Sequence, residues 1–173
     1  EPAHIEAHES IADFFVTTTQ NDKAEVEYKN LVAIQENSPE SRLVLAEFYA
    51  AANRQSEAVA VLSTIVADTP DYVRARYRLG QIYLDQKDIA KVSEQLEALF
   101  KINDNDIEAL MLRSRMHLQQ NDPELAVKDL EDILKKQPSQ RDALYYISQA
   151  KIANGQIDQA RAFIADLERY HPK

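Results

Sequence analysis

Cysteine is absent, glycine occurs only twice, and no apolar run extends beyond a handful of residues. Each shortage removes a class of chemistry. Without cysteine there are no disulfides, thiolate nucleophiles or cysteine-ligated metals, and the chain suits a reducing or an oxidising compartment equally. Gly80 and Gly155 stand far apart, so no glycine-rich phosphate loop exists, and there is no Gly-x-Ser-x-Gly elbow. The apolar runs fall well short of the roughly 20 residues that cross a bilayer, and no basic-then-apolar leader opens the sequence, which points to a soluble chain without membrane insertion. The first residue is Glu1 rather than Met, as expected of a processed or excised chain. Positive charge is scarce too: 20 Lys and Arg against 29 Asp and Glu leave a net charge of -9, a poor match to a phosphate backbone, so nucleic acid is not an expected partner. The imbalance is concentrated at one end, where residues 1–38 hold eight acids against two lysines, net -6.

What is present is 173 residues, 45% of them hydrophobic, enough for one folded domain. The order in them is a repeat. Sliding "LGQIY" (Leu79 to Tyr83) by 34 residues each way meets "LAEFY", "IADFF", "RSRMH" and "ISQAK", with a small residue in every copy: Ala12, Ala46, Gly80, Ser114 and Ser148. Twelve residues on lies a second column, Ala24, Ala58, Val92, Ala126 and Ala160. Two further columns follow at four and seven residues beyond it, Tyr28, Leu62, Leu96, Leu130, Ile164 and Leu31, Ile65, Leu99, Ile133, Leu167, which is the spacing of one helical face. Pro70, Pro138 and Pro172 close three of the units at the same place. Each unit therefore predicts two helices, near 3–18 and 22–36, 39–52 and 56–68, 72–86 and 89–102, 106–120 and 123–136, and 140–153 and 157–170. Asp22, Asp88 and Asp122 are expected as N-caps of second helices, Ser38 before Pro39 opens another, and Asn154-Gly155 suits a left-handed C-cap.

These columns resemble the tetratricopeptide repeat family over essentially the whole chain, as five units near 5–38, 39–72, 73–106, 107–140 and 141–173. The resemblance implies an all-α fold, a right-handed superhelical solenoid of ten helices in antiparallel pairs. Departures from the family pattern are His8, Arg42 and Arg76 at the fourth position, Arg113 for the core leucine at the seventh, His117 and Lys151 for the aromatic at the eleventh, and Val92 for an alanine. Gly80 is then expected to lie opposite Val92, because paired helix axes approach to roughly 8–10 Å only where facing side chains are small.

The resemblance further implies a non-catalytic protein–protein interaction scaffold whose first helices line a concave groove. The groove-facing positions, the second, fifth, ninth, twelfth and thirteenth of each unit, supply the candidate site, Leu43, Glu47, Arg74, Tyr77, Gln81, Leu84, Met111, Arg115, Leu118, Tyr145 and Gln149, and Arg78 adds charge in the third unit. Aromatic, Met and Arg side chains on such a surface suit a peptide or helical segment with apolar anchors and an acidic group near Arg78 or Arg115. The carboxylate clamp of the family's chaperone-tail receptors is not matched, since Glu9, Asp13 and Val44 stand where its basic and amide residues belong and only Arg74 and Arg78 agree.

No cofactor or metal is expected. His4 and His8 are four apart but "HIEAH" lacks the zinc-protease arrangement, and "NDNDIE" (Asn103 to Glu108) lacks the glycine of a calcium loop and reads as a turn capped by Asp106. An enzyme is the distant alternative, to be revived by a cleft holding a perturbed carboxylate. The nearer alternative is self-assembly through the last unit, whose apolar column Ala160, Phe163, Ile164 and Leu167 has no polar helix after it, or membership of a larger envelope or secretion complex; the resemblance leans toward the bacterial cell envelope, with cytoplasm and periplasm both open.

Overall fold

A computed structural model describes residues 2–172, with side chains described from Ile5 onward. Ten helices follow one another: α1 (Pro2–Thr17), α2 (Asn21–Ile34), α3 (Pro39–Ala51), α4 (Gln55–Asp68), α5 (Val73–Asp85), α6 (Ile89–Ile102), α7 (Ile107–Gln119), α8 (Pro123–Lys136), α9 (Arg141–Ala153) and α10 (Ile157–Tyr170). Among the described residues there is no strand. The fold is all-α, and each helix falls within a residue or two of its expected span, because the apolar columns and turn residues repeat on the same ruler.

The turns show why the ruler is so regular. Within each unit the first helix ends in a left-handed residue, Thr19, Asn53, Lys87, Asn121 or Gly155, with φ between 58° and 72°. The next N–H then reaches back to the carbonyl of the eleventh residue of the unit: Gln20 to Phe15, Arg54 to Tyr49, Asp88 to Tyr83, Asp122 to His117 and Gln156 to Lys151, at 2.8–2.9 Å. This is the double-bonded helix stop in which a left-handed residue lets orphan carbonyls be satisfied. Helix starts divide. The side chains of Ser38, Asp88 and Asp106 accept from Ser41, Lys91 and Ala109 N–H as expected. Asp122 stands at the N-cap without such a bond, and Asp22 lies one residue inside α2, whose N-cap is Gln20.

Where the sequence reads as one domain of five units, the chain groups into two compact units, one up to Ile82 and one from Tyr83, with the division inside α5. A repeat chain has no single core, because each element packs only on its sequence neighbours. In the first unit Ala12, Ala24, Ala46 and Ala58 are all fully buried, so the backbones of each helix pair can approach. Phe48 stacks on Tyr28 with ring centroids 4.9 Å apart, joining α3 to α2. In the second unit Leu130 and Ile133 of α8 share a core with Ala143, Ile147 and Ala150 of α9. Gly80 and Val92 are each buried, in their respective units. The last column weakens at the chain's end: Ile164 is exposed and Leu167 only half-buried.

The polar departures from the family pattern other than His117 each have a hydrogen-bond or ion-pair partner. His8 Nδ1 meets Glu27, Arg42 Nη1 donates to Asp68 at 2.6 Å, and Arg76 Nε donates to the Pro70 carbonyl at 2.6 Å. Arg113 grips the buried Asp129 of α8 through two hydrogen bonds, 2.9 and 2.7 Å, and lies 4.4 Å from the Phe100 ring centre. His117 Nε2 lies 3.9 Å from the same carboxylate, and buried Lys151 pairs with Glu131, also on α8, at 3.4 Å. His4 lies outside the residues whose side chains are described; His8 is engaged with Glu27.

Candidate binding cleft in the second unit

Helix α7 repeats side chains at 111, 115 and 118 on one face, and α9 carries 145 and 149 at the matching level, so first-helix side chains of successive repeats line up. Arg115, Leu118 and Gln149 come together with Leu84 around a cleft of about 210 Å³, completed by Asp85, Gln119 and Tyr146. Leu84, 3% exposed, forms the floor. Its carbonyl accepts from Gln119 Nε2 at 3.2 Å. The Arg115 guanidinium lies 5.7 Å from the Tyr146 ring centre, and its ion pair among the described residues is a long one, 3.8 Å to the exposed carboxylate of Asp85. Such a pair, held at a distance and screened by water, contributes little and is easily exchanged for an incoming carboxylate. Tyr145 is half-exposed, meets Tyr146 edge-on at 5.2 Å, and its hydroxyl accepts from Gln149 Nε2 at 2.8 Å.

Three of the groove candidates do not present a surface. Leu43, Leu84 and Met111 are 2%, 3% and 6% exposed; Leu43 and Met111 are core residues, and Leu84 serves only as the cleft floor. At the fifth position Leu43 and Met111 are buried, whereas Tyr145 is 48% exposed. In the first unit Arg74, Tyr77, Arg78 and Gln81 share one face of α5, with Arg78 Nη1 donating to Gln81 Oε1 at 2.9 Å and its Nε buried without a partner. Glu47 is exposed on α3.

Tyr146, Asp85 and Gln119 were not among the candidates. Asp85 and Gln119 both occupy the thirteenth position of their units, a groove-facing position, so the pattern held the signal; Tyr146 is marked only by adjacency to Tyr145.

Each unit has one further feature. A more apolar opening of about 510 Å³ lies between α6 and α7, walled by Leu96, Phe100, Arg113 and Met116. The carboxylate moved furthest from its ordinary value belongs to Glu25 in the first unit: hydrogen bonds from Arg54, then Lys29, hold it down from 4.5 to about 2, and the Tyr49 hydroxyl adds to them. A carboxylate so strongly held in its charged form is a poor proton donor or acceptor near neutrality and serves as a tie between α2 and α3. Its contribution to stability is present above pH 4.5 and is lost as pH falls toward 2. Among the described residues no cluster of His, Asp and Glu is arranged to hold a metal, and no helix is long and apolar enough to cross a membrane.

Helical hairpins on a 34-residue ruler, buried small columns and exposed polar or aromatic side chains along first helices define a helical-repeat protein. A family model for the tetratricopeptide repeat matches residues 18–75, 56–116 and 117–173. The chain belongs to the tetratricopeptide repeat family, whose members commonly act as protein–protein interaction scaffolds and are generally not catalysts. Among solved structures it is similar to MamA from Desulfovibrio magneticus RS-1, with 17% identity over 98% of each chain and a TM-score of 0.76. It is also similar to a protein titled for the functional characterisation of Pseudomonas aeruginosa pilF, 13% identical over 99% of this chain and 78% of that one, TM-score 0.79. A tetratricopeptide repeat protein from Parabacteroides merdae is 16% identical over 99% of this chain and 68% of that one, TM-score 0.77. At these identities the likeness is one of fold. No curated protein matches the sequence.

Proposed function

We propose that this chain is a non-catalytic interaction module that receives a short polypeptide segment bearing an acidic group and apolar side chains, with the Arg115 cleft at the centre of the contact. The observation that carries this reading is the state of Arg115. It is a partly exposed guanidinium beside an aromatic ring, with a long, solvent-screened pairing to Asp85. A ligand carboxylate reaching Arg115 directly makes a charge-assisted pair, while apolar ligand side chains rest on Leu118 and the Tyr145–Tyr146 edge. Recognition of this kind gives dissociation constants on the order of micromolar, about -8 kcal/mol.

The test is selection of binding peptides from a random library displayed on phage, followed by titration calorimetry. Acidic, apolar-flanked sequences are expected, with Arg115→Ala and Tyr146→Ala each weakening binding by roughly tenfold or more. Peptides that bind equally well to both variants place the contact elsewhere.

A further inference from the structure

The cleft around Arg115 carries a second charge that the binding of an acid leaves unused. Asp85 holds its carboxylate 3.8 Å from the Arg115 guanidinium, and its side chain is 62% exposed. Both charges stand out in their repeat columns. The thirteenth residues of the five units are Thr17, Ala51, Asp85, Gln119 and Ala153, so Asp85 is the charged one. The ninth residues are Asp13, Glu47, Gln81, Arg115 and Gln149, so Arg115 is the basic one. The two exceptions meet in one cleft.

Asp85 is also poorly placed for the helix that carries it. It is the last residue of α5, where the helix dipole puts partial negative charge, so that a carboxylate is repelled and a basic side chain favoured. The helix end is satisfied by other groups: the Leu84 carbonyl accepts from Gln119 Nε2 at 3.2 Å and from the Lys87 N–H at 2.9 Å. Nor does the contact with Arg115 explain the residue, since so long and exposed a pair adds little to folding. Where a residue breaks a local rule without structural return, a binding role is the expected reason.

The electrostatics of the cleft say which ligand this role suits. Asp85 and the C-terminal end of α5 make one wall negative, and Arg115 makes the facing wall positive. A ligand that brings only an acid takes over Arg115 and sets two like charges side by side, its own and that of Asp85. A ligand that brings an acid and a base next to each other satisfies both walls.

We propose, resting on the Arg115 cleft as the acid-binding site, that Asp85 is a specificity-determining residue. It selects polypeptide segments in which a lysine or arginine lies beside the acidic residue that Arg115 receives, and it disfavours segments that are purely acidic.

The test is parallel selection of one phage-displayed random peptide library on the wild type, Asp85→Asn and Arg115→Ala. The Asp85 side chain is exposed at a helix end, so circular dichroism should report unchanged helix content for Asp85→Asn. The wild type is expected to enrich Asp or Glu together with Lys or Arg in the same short stretch, and Asp85→Asn to keep the acidic enrichment and lose the basic one. Titration of a selected wild-type peptide then measures the coupling. Replacing its basic residue by alanine should weaken binding to the wild type roughly threefold, and binding to Asp85→Asn by less than about 1.5-fold. A wild-type pool rich in acids without accompanying bases, or equal basic enrichment on Asp85→Asn, overturns the role of Asp85 and leaves the Arg115 cleft standing. A wild-type pool without acidic enrichment, one unchanged by Arg115→Ala, or no binders at all removes the Arg115 reading and this proposal with it.

Discussion

At the scale of single residues, the most telling positions are the five left-handed ones that end the first helices. Asparagine and glycine tolerate that conformation, so Asn53, Asn121 and Gly155 suit it, and nothing lies within 4 Å of a Cβ added at Gly155. Thr19 does not suit it. A β-branched residue at φ 58° is strained, and the strain is tolerated because the Gln20 N–H bond to the Phe15 carbonyl requires the turn. Thr19→Gly is therefore expected to raise stability by roughly 1 kcal/mol, the relief of strain exceeding the entropy glycine adds to the unfolded chain. Urea denaturation checks this; a lower midpoint would mean that the Thr19 backbone is not held as described. The sequence announced this stop at Asn154-Gly155 but not at Thr19 or Lys87, because the turn is imposed by the helices on either side and overrides local preference.

At the scale of elements, α8 explains how α7 and α9 keep their place despite charged residues at core positions. Its Asp129 and Glu131 receive Arg113 and Lys151 respectively. From the sequence alone, Arg113 and His117 read as two separate departures; in the structure they converge on one carboxylate. His117 is the tense member. Burial pushes its pKa below the ordinary 6.5 although the Asp129 charge pulls the other way, with Arg113 adding to the lowering and Asp122 opposing it. Its Nδ1 is buried without a partner. The folded chain thus prefers the neutral ring, so stability is whole above pH 6.5 and declines as pH falls through 6.5 toward the lowered value. His117→Phe, which restores the aromatic found at Phe15, Tyr49 and Tyr83, should lose less stability than wild type between pH 7.5 and 5.5. Thermal melts at the two pH values decide it, and equal losses would show that His117 is not the titrating group.

At the scale of the whole molecule, the chain groups into two compact units, and in a repeat each element packs on its sequence neighbours, so stability is distributed and not all-or-none. The end helices α1 and α10, each with an exposed apolar side, should open first. Native-state hydrogen exchange at a concentration low enough to keep the chain monomeric is expected to show their amides exchanging at least about tenfold faster than those of α7 and α8. Uniform protection across all ten helices would contradict this picture. The same absence of a central core explains what was readable in advance. Helix number, spans, the buried small columns and the class of protein follow from the 34-residue period, because in a repeat each contact joins near sequence neighbours and the period encodes it directly. Side-chain direction at the groove positions was not encoded in that way. Leu43 and Met111 turn into the core while Tyr145 stays out, a choice made by the room that neighbouring helices leave. The ion pairs of Arg113 and Lys151, and the gathering of Asp85, Arg115 and Tyr146 around one cleft, likewise depend on distances between helices. The sequence by itself determined the repeat and its helices, since these arise from local periodicity; only the tertiary structure decided which side chains are core, paired or available, since that depends on packing across helices that no local pattern contains.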